Sequence, residues 1–130
     1  MLESGQPMHV FDLEKINGDV EVRFAKPKES IKILGEKNLK LTKDCLVIAD
    51  NEEPIALAGI SGSLDQSVSS KTKNFLIESA YFNPSVIKGR ARRYGFQTDA
   101  SQRFERGVDF SIQKEALEDA INIIQDIYQA

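Results

Sequence analysis

One stretch of the sequence, residues 75–109, constrains the fold most, because it places a single carboxylate inside an apolar run. Residues 75–77 are apolar, Glu78 interrupts them, and residues 80–82 are again apolar or aromatic. Burying a lone carboxylate is costly unless a hydrogen-bond donor faces it. We therefore expect Glu78 to have a partner, which is either another group of the chain or a ligand.

A helix is predicted directly after this run. Asn83 is suited to the N-cap position and Pro84 to the first helical turn. Gly95 is suited to the position that follows a helix C-terminus. Together these residues predict one helix over residues 84–94.

The rest of the stretch predicts a turn and then a second helix. Residues 98–101 are small and polar, which indicates a compact turn, and Asp109 is a good N-cap for a helix over residues 110–128. Apolar side chains recur in that helix at steps of three or four and form one stripe, namely Ile112, Ala116, Ala120, Ile123 and Ile127.

Strands are predicted for the first two thirds of the chain. Val20, Val22 and Phe24 alternate with charged residues, which indicates a half-buried strand. A hairpin that turns near Gly35 and three apolar strands are also predicted, the latter over residues 45–49, 55–60 and 74–82. The predicted class is α+β, with layered mixed β-sheets packed with C-terminal helices in a single domain.

Composition limits the location and the partners of the protein. A chain of 130 residues with 41% hydrophobic residues is large enough for one buried core. The longest apolar runs fall short of the roughly 20 residues that span a membrane, and the first residues do not resemble a signal peptide. The single cysteine, Cys45, is predicted to be a small buried residue, and we expect a cytoplasmic protein. A net charge of -3 argues against a large nucleic-acid surface, so any such role must rest on local basic patches.

Few residues offer chemistry on their own. The sequence has neither a phosphate-binding glycine loop nor a histidine and cysteine cluster, so no metal site is predicted. His9, the only histidine, is either a core residue or a functional one, and Gly62 is either a turn glycine or a close-approach site. Glu78 is either a ligand-binding group or half of an internal salt bridge with Arg103 or Arg106.

Five segments carry a resemblance to a known family. Residues 5–12, Gly-Gln-Pro-Met-His-Val-Phe-Asp, resemble the G-Q-P-[ML]-H-A-F-D motif of bacterial phenylalanyl-tRNA synthetase β subunits. The other segments follow in that family's order and cover residues 46–50, 56–62, 78–84 and 98–109. The resemblance extends over nearly the whole chain and corresponds to the central editing module, the third and fourth domains. It implies that residues 1–130 are an editing-domain piece of a longer subunit.

The resemblance implies an activity and assigns roles to four residues. The family's editing pocket hydrolyses tyrosine that has been mischarged onto tRNA(Phe), since an apolar pocket rejects an added hydroxyl only weakly. Glu78 would accept the phenol hydrogen, Gly62 would offer a backbone N–H and space, and Ala100 would keep the pocket open. His9 would act catalytically, by orienting the RNA end or the attacking water near the ester.

Partners and cofactors follow from the same resemblance. We expect the acceptor end of tRNA(Phe) and an α subunit, in a heterotetramer of two α and two β subunits. No cofactor is expected in this chain, and ATP and magnesium would be used elsewhere in the full enzyme. Ser63 and Gln102 depart from the family pattern, and a threonine and an asparagine that the family supplies from upstream are not in the chain. The alternative function is therefore a structural or tRNA-binding module with a decayed pocket, and we expect the chain alone to edit poorly.

Overall fold

A computed structural model describes residues 5–33, 37–95 and 97–128 of the chain, with the side chain of Tyr128 left aside. The described strands are β1 Met8–Asp12, β2 Glu21–Phe24, β3 Ser30–Lys32, β4 Asn38–Lys40, β5 Leu46–Ala49, β6 Pro54–Leu57, β7 Ser61–Gly62 and β8 Phe75–Ser79. The described helices are a short 3-10 helix Leu13–Lys15 and the α-helices α1 Pro84–Ile87, α2 Arg90–Arg93, α3 Asp99–Arg106 and α4 Gln113–Tyr128. The α+β class predicted from the sequence is confirmed.

The largest sheet has four strands in the order β2-β5-β6-β7. Its two central strands are continuous apolar segments, and Val47 and Ile55 are both 0% exposed. Asp50 shapes the turn between these strands, because its carboxylate accepts the backbone N–H groups of Glu52 and Glu53, each at 2.9 Å. The strand pairs of the described residues are all antiparallel, so the parallel pairs that a mixed sheet would contain are not found in this part of the chain.

A separate two-stranded sheet joins β1 to β8 and brings together residues that are distant in sequence. Its antiparallel register places His9 opposite Glu78. Gln6, which is fully buried, fixes the segment before β1, since its side-chain amide donates to the carbonyl of Ala80 at 2.7 Å. The amide of Gln113 in turn donates to the Gln6 side chain at 2.9 Å. These bonds hold β1, β8 and the start of α4 in one arrangement.

The predicted hairpin is confirmed in its strands. β3 pairs with β4, and Ile31 lies opposite Leu39, with both side chains 3% exposed. The turn predicted near Gly35 lies outside the described residues. Cys45 is 0% exposed, as the apolar sequence around it predicted.

The single helix predicted over residues 84–94 is wrong, because the structure divides it into α1 and α2. The cap prediction holds, since the Asn83 side chain accepts the Ser85 N–H at 3.0 Å. Gly89 interrupts the helix with a φ of 82°, a left-handed conformation that favours glycine. Its N–H donates to the Glu105 side chain at 3.1 Å, so a contact with α3 stabilises the break.

Two further boundaries differ from the prediction. The polar turn expected over residues 98–101 is instead the N-terminus of α3, with Thr98 as its N-cap. The last helix begins at Gln113 rather than at residue 110. Asp109 caps a turn, not the helix, because its carboxylate accepts the N–H of Ser111 at 2.9 Å.

The prediction of a half-buried strand over residues 20–24 is wrong in its burial. Val20, Val22 and Phe24 are 42%, 55% and 50% exposed. β2 is an edge strand of its sheet, and the described residues do not cover this apolar face. The stripe on α4 is also covered only in part, since Ala116 is buried while Ile127 is 67% exposed. No helix in the described part of the chain is long and apolar enough to cross a membrane.

Candidate functional site

A cavity of about 60 Å³ lies between β1, β7, β8 and the N-terminal half of α3. The structure places all four residues singled out from the sequence at its wall: His9 on β1, Gly62 on β7, Glu78 on β8 and Ala100 on α3. The rest of the wall is mostly apolar and consists of Pro7, Met8, Ala56, Leu57, Gly59, Ile60, Ser61 and Phe104. The cavity therefore combines an apolar surface with one carboxylate and one imidazole.

The carboxylate of Glu78 has no hydrogen bond and no ion pair among the described residues. In particular, the internal salt bridge with Arg103 or Arg106 that the sequence left open is not among the ion pairs of this part of the chain. Burial without a compensating charge disfavours the ionised form and raises the pKa of Glu78 to about 7. Near neutral pH the group is therefore present in both protonation states.

The imidazole of His9 is also short of partners. Its ring packs edge-on against Phe11, with ring centroids 4.5 Å apart. Its Nε2 atom is buried and has no hydrogen-bond partner among the described residues. Burial lowers the pKa of His9, so the ring is neutral at pH 7. In a neutral imidazole one ring nitrogen donates a hydrogen bond and the other accepts one.

The position of the His9 ring requires a residue without a side chain at position 62. A Cβ atom at this position would overlap Nε2 and Cε1 of His9. The place that a Cβ atom would take at Gly62 is therefore filled by the histidine ring, while Gly62 itself lines the cavity. The role in ligand binding that the family resemblance gives Gly62 remains a prediction.

Ala100 owes its position to the cap of α3. The Thr98 hydroxyl accepts the N–H of Ser101 at 3.0 Å and donates to the carbonyl of Ile60 at 2.8 Å. The Ser101 hydroxyl in turn accepts the Thr98 N–H at 3.0 Å. This reciprocal cap joins the helix to the strand side of the cavity. It holds the small Ala100 side chain at the wall.

Comparison with known proteins decides the family. The family model described as "B3/4 domain" matches residues 1–129. This chain belongs to the B3/4 domain family. Its curated relatives are phenylalanine–tRNA ligase beta subunits: the protein of Psychrobacter arcticus is 51% identical over 127 residues, and those of Legionella pneumophila and Yersinia pestis are 50% and 51% identical over the same length.

The B3/4 domain is one part of those relatives. Each of the three alignments covers 98% of this chain and 16% of the relative. The chain thus spans about one sixth of the length of the curated relatives it matches. A crystal structure of an N-terminal fragment of the phenylalanyl-tRNA synthetase beta subunit from Pyrococcus horikoshii is 20% identical, with a TM-score of 0.47 over 54% of this chain and 26% of that chain.

Several residues of this B3/4 domain were missed by sequence reasoning. Thr98 positions Ala100, and the signal for it was the Thr-x-x-Ser spacing of a reciprocal cap. Phe104 lines the cavity floor and packs on Phe82, with ring centroids 5.1 Å apart. Ser63, which departs from the family pattern, does not line the cavity, and its hydroxyl accepts the Asp65 N–H at 3.2 Å.

Proposed function

We propose that this B3/4 domain is an editing site that hydrolyses tyrosine from mischarged tRNA(Phe). The observation that carries the proposal is the Glu78 carboxylate, which has no partner among the described residues and lies in a mostly apolar cavity opposite His9 in the β1–β8 pair. A tyrosine side chain has an apolar ring for the cavity wall and one hydroxyl for the carboxylate. The lining residues therefore match both parts of tyrosine in their chemistry.

Selectivity against phenylalanine would come from the hydrogen bond of that hydroxyl. With tyrosine bound, the phenol O–H donates to Glu78. With phenylalanine bound, the carboxylate loses water and receives no donor in exchange. Leaving a buried acceptor unsatisfied costs about 1–3 kcal/mol, and more for a charged group. The pocket would thus select the amino acid that an apolar synthetic site rejects only weakly.

Hydrolysis of the ester needs a positioned water more than a strong base. The attacking water forms a bond to the carbonyl carbon, the bond from that carbon to the ribose oxygen breaks, and the ribose oxygen leaves with a proton. His9 lines the cavity and is neutral at pH 7, and its buried Nε2 atom has no hydrogen-bond partner among the described residues. We assign His9 the role of orienting this water or the RNA terminus, because positioning alone accelerates such reactions strongly.

The domain would act within a larger ligase. The names of the relatives support a phenylalanine–tRNA ligase beta subunit. In that setting we expect tRNA(Phe) and an α subunit as partners, in an assembly of two α and two β subunits in the cytoplasm. ATP and magnesium would serve aminoacylation at another site, and we expect no cofactor at the cavity.

One observation favours the alternative, a tRNA-binding or structural module without a working pocket. The cavity volume of about 60 Å³ is modest, so a phenol ring requires the wall to adjust. Calorimetric titration of the chain with tyrosine and then phenylalanine separates the two functions. Editing predicts clear tyrosine binding and much weaker phenylalanine binding. Equal affinities, or no binding of either amino acid, would support the alternative.

The reaction itself is tested in the full ligase, because the chain alone is expected to edit poorly, with tyrosyl-tRNA(Phe) and phenylalanyl-tRNA(Phe) as substrates. Editing predicts faster release of tyrosine than of phenylalanine, and loss of that preference in Glu78→Ala. The matched control is Glu118→Ala on α4, which removes an exposed carboxylate away from the cavity wall. If both variants changed the two rates alike, the hydroxyl-reading role of Glu78 would be wrong.

A further inference from the structure

A second recess, which we name the arginine groove, lies beside the cavity and has a volume of about 420 Å³. It is lined by Gly5, Asp99, Gln102, Arg103, Arg106, Gly107, Val108 and Asp109. The same two segments border both spaces. The residues before and within β1 supply Gly5 to the groove and Pro7 to the cavity, and α3 supplies Arg103 to the groove and Ala100 to the cavity. The groove therefore adjoins the cavity.

The two arginines of the groove are unpaired within the described part of the chain. The guanidinium groups of Arg103 and Arg106 make no ion pair and no hydrogen bond with the described residues, and both side chains are exposed. By contrast, Arg93 on α2 forms two hydrogen bonds with Asp44, each at 2.7 Å. Two unpaired guanidinium groups three positions apart on one helix lie on the same face. They present donors to a common ligand.

The acidic residues of the groove limit how strongly it attracts anions. Asp109 and Asp99 balance the formal charge of the two arginines. The Asp109 carboxylate is already bonded to the backbone and hydroxyl of Ser111. Asp99 lies in the first turn of α3, where the helix dipole stabilises a negative charge. The groove is therefore suited to a local, geometric contact with an anion rather than to strong long-range attraction.

We propose that Arg103 and Arg106 bind the phosphate groups of the last nucleotides of a single-stranded RNA whose esterified 3′ end enters the cavity. This inference rests on the proposed editing function. Ala100 and Arg103 are one helical turn apart, so a chain that delivers its terminal ester to Ala100 passes the guanidinium groups next. A planar guanidinium donates two parallel hydrogen bonds to a phosphate, which fixes its orientation as well as its charge.

The contact of the two arginines with phosphate would contribute more to the position of the ester than to the affinity for RNA. Phosphate contacts set the register of a nucleic acid on a protein without reading its sequence. With the last phosphates held on α3, the terminal ribose has a defined distance to His9 across the cavity. Removing the arginines should therefore weaken RNA binding and slow ester hydrolysis, while the affinity for tyrosine alone stays unchanged.

The test uses a 5′-labelled single-stranded RNA of four nucleotides with an unmodified 3′ end. Its affinity for the chain is measured by fluorescence anisotropy at several KCl concentrations. For a single strand, removing one phosphate contact should reduce the slope of log K against log salt by about 0.7. We expect Arg103→Gln and Arg106→Gln each to reduce this slope by about 0.7, and the double variant to reduce it by about twice as much.

Two further variants serve as controls. Arg92→Gln removes an exposed arginine of α2 that lines neither space, and it should leave the salt slope unchanged. Arg103→Lys with Arg106→Lys keeps both charges and should keep most of the slope. Equal reductions in Arg92→Gln and in the groove variants, or no RNA binding by the unmodified chain, would overturn the proposal.

Tyrosine titration of the same variants separates this proposal from the proposed function. Tyrosine binding that survives Arg103→Gln with Arg106→Gln, together with a reduced salt slope, is the result we expect. If the double variant binds tyrosine and its salt slope for RNA binding is unchanged, phosphate binding by the arginine groove is contradicted and the editing function is not. An unmodified chain that shows the slope but binds no tyrosine would contradict the editing function and leave a phosphate-binding groove without the ester-delivery role we propose.

Discussion

Two polar clusters of this molecule differ in how their charges are compensated. At the junction of α2 with the start of β5, Asp44 accepts two hydrogen bonds from Arg93 at 2.7 Å and one from Thr42 at 2.5 Å. At the cavity, Glu78 has no such partner among the described residues. Hydrogen bonds from Arg93 and Thr42 hold the pKa of Asp44 well below its usual range, whereas burial raises the pKa of Glu78 to about 7.

The difference separates a cluster whose hydrogen bonds are complete from one whose polar groups have no partner among the described residues. The Asp44 cluster joins α2 to the strand connection, and its donors and acceptors satisfy one another. At the cavity, Glu78 on β8 lies opposite His9 on the adjacent strand β1, and the two side chains form no hydrogen bond with each other. Buried polar groups that the fold leaves unsatisfied cost stability and are typical of sites where a ligand supplies the missing bond.

The largest expected effect is the loss of ligand binding in Ala100→Trp. The indole would enter a cavity of about 60 Å³ that a methyl group now borders, so tyrosine should no longer bind detectably. Gln102→Trp is the matched control, since Gln102 is exposed and does not line the cavity. Calorimetric titration of both variants with tyrosine checks the prediction. Retained binding in Ala100→Trp would place the tyrosine elsewhere.

The second effect concerns the contact between Gly62 and His9. Gly62→Ala introduces a Cβ that overlaps the imidazole, and inserting a carbon into a packed site typically costs about 1–3 kcal/mol. In a His9→Ala background the obstacle is gone, so the same substitution should cost much less. Urea unfolding of the four chains of this double-mutant cycle measures the coupling. If the changes in unfolding free energy of the two substitutions were additive, the His9 ring would move aside for the new Cβ atom without strain.

The third effect contrasts the two carboxylates directly. At pH 8 Glu78→Gln should stabilise the fold, on the order of 1–3 kcal/mol, because a buried charge without a partner is replaced by a neutral amide. Asp44→Asn should destabilise it by up to about 1 kcal/mol, since the ion pair it weakens is partly exposed. Unfolding free energies of the two variants provide the comparison. A loss of stability in Glu78→Gln would point to an internal partner for Glu78.

The fourth effect is the pH dependence of stability. Glu78 has a folded pKa of about 7 against an ordinary value of 4.5, so the folded state binds more protons between these values and its stability falls as the pH rises through that window. His9 acts in the opposite direction, because its folded pKa lies below 6.5 and stability falls as the pH drops below that value. Unfolding curves of the unmodified chain and Glu78→Gln between pH 4.5 and 8 isolate the first contribution. Parallel curves would mean that Glu78 titrates normally.

Local features of the fold could be predicted from the sequence. The Asn83 cap and the buried Cys45 strand depend on neighbouring residues, and both agree with the structure. The break at Gly89 could not be predicted, because a contact with Glu105 sixteen positions away stabilises it. The exposure of Val22 follows from the edge position of β2, which strand alternation does not reveal.

The candidate site also combines features that could be predicted from the sequence with features that depend on distant contacts. A carboxylate within an apolar run drew attention to Glu78, and the structure places it at the cavity wall without a described partner. The contact of Gly62 with His9 joins residues far apart in sequence, and spacing alone carries no sign of it. The residue roles carried over from the family resemblance remain predictions. The role of Thr98 in positioning Ala100 depends on its bond to Ile60, which also forms only in the folded chain.

The titration of Glu78 with and without bound amino acid tests the central claim most directly. Carbon-13 NMR of the side-chain carboxyl should give a pKa near 7 in the unliganded chain. Saturating tyrosine should lower that pKa, because the phenol O–H donates to the ionised form and favours it. Phenylalanine at saturation should leave it unchanged or raise it, since it removes water and offers no donor. Equal shifts with both amino acids, or a carboxyl that titrates at its ordinary value from the start, would contradict the account.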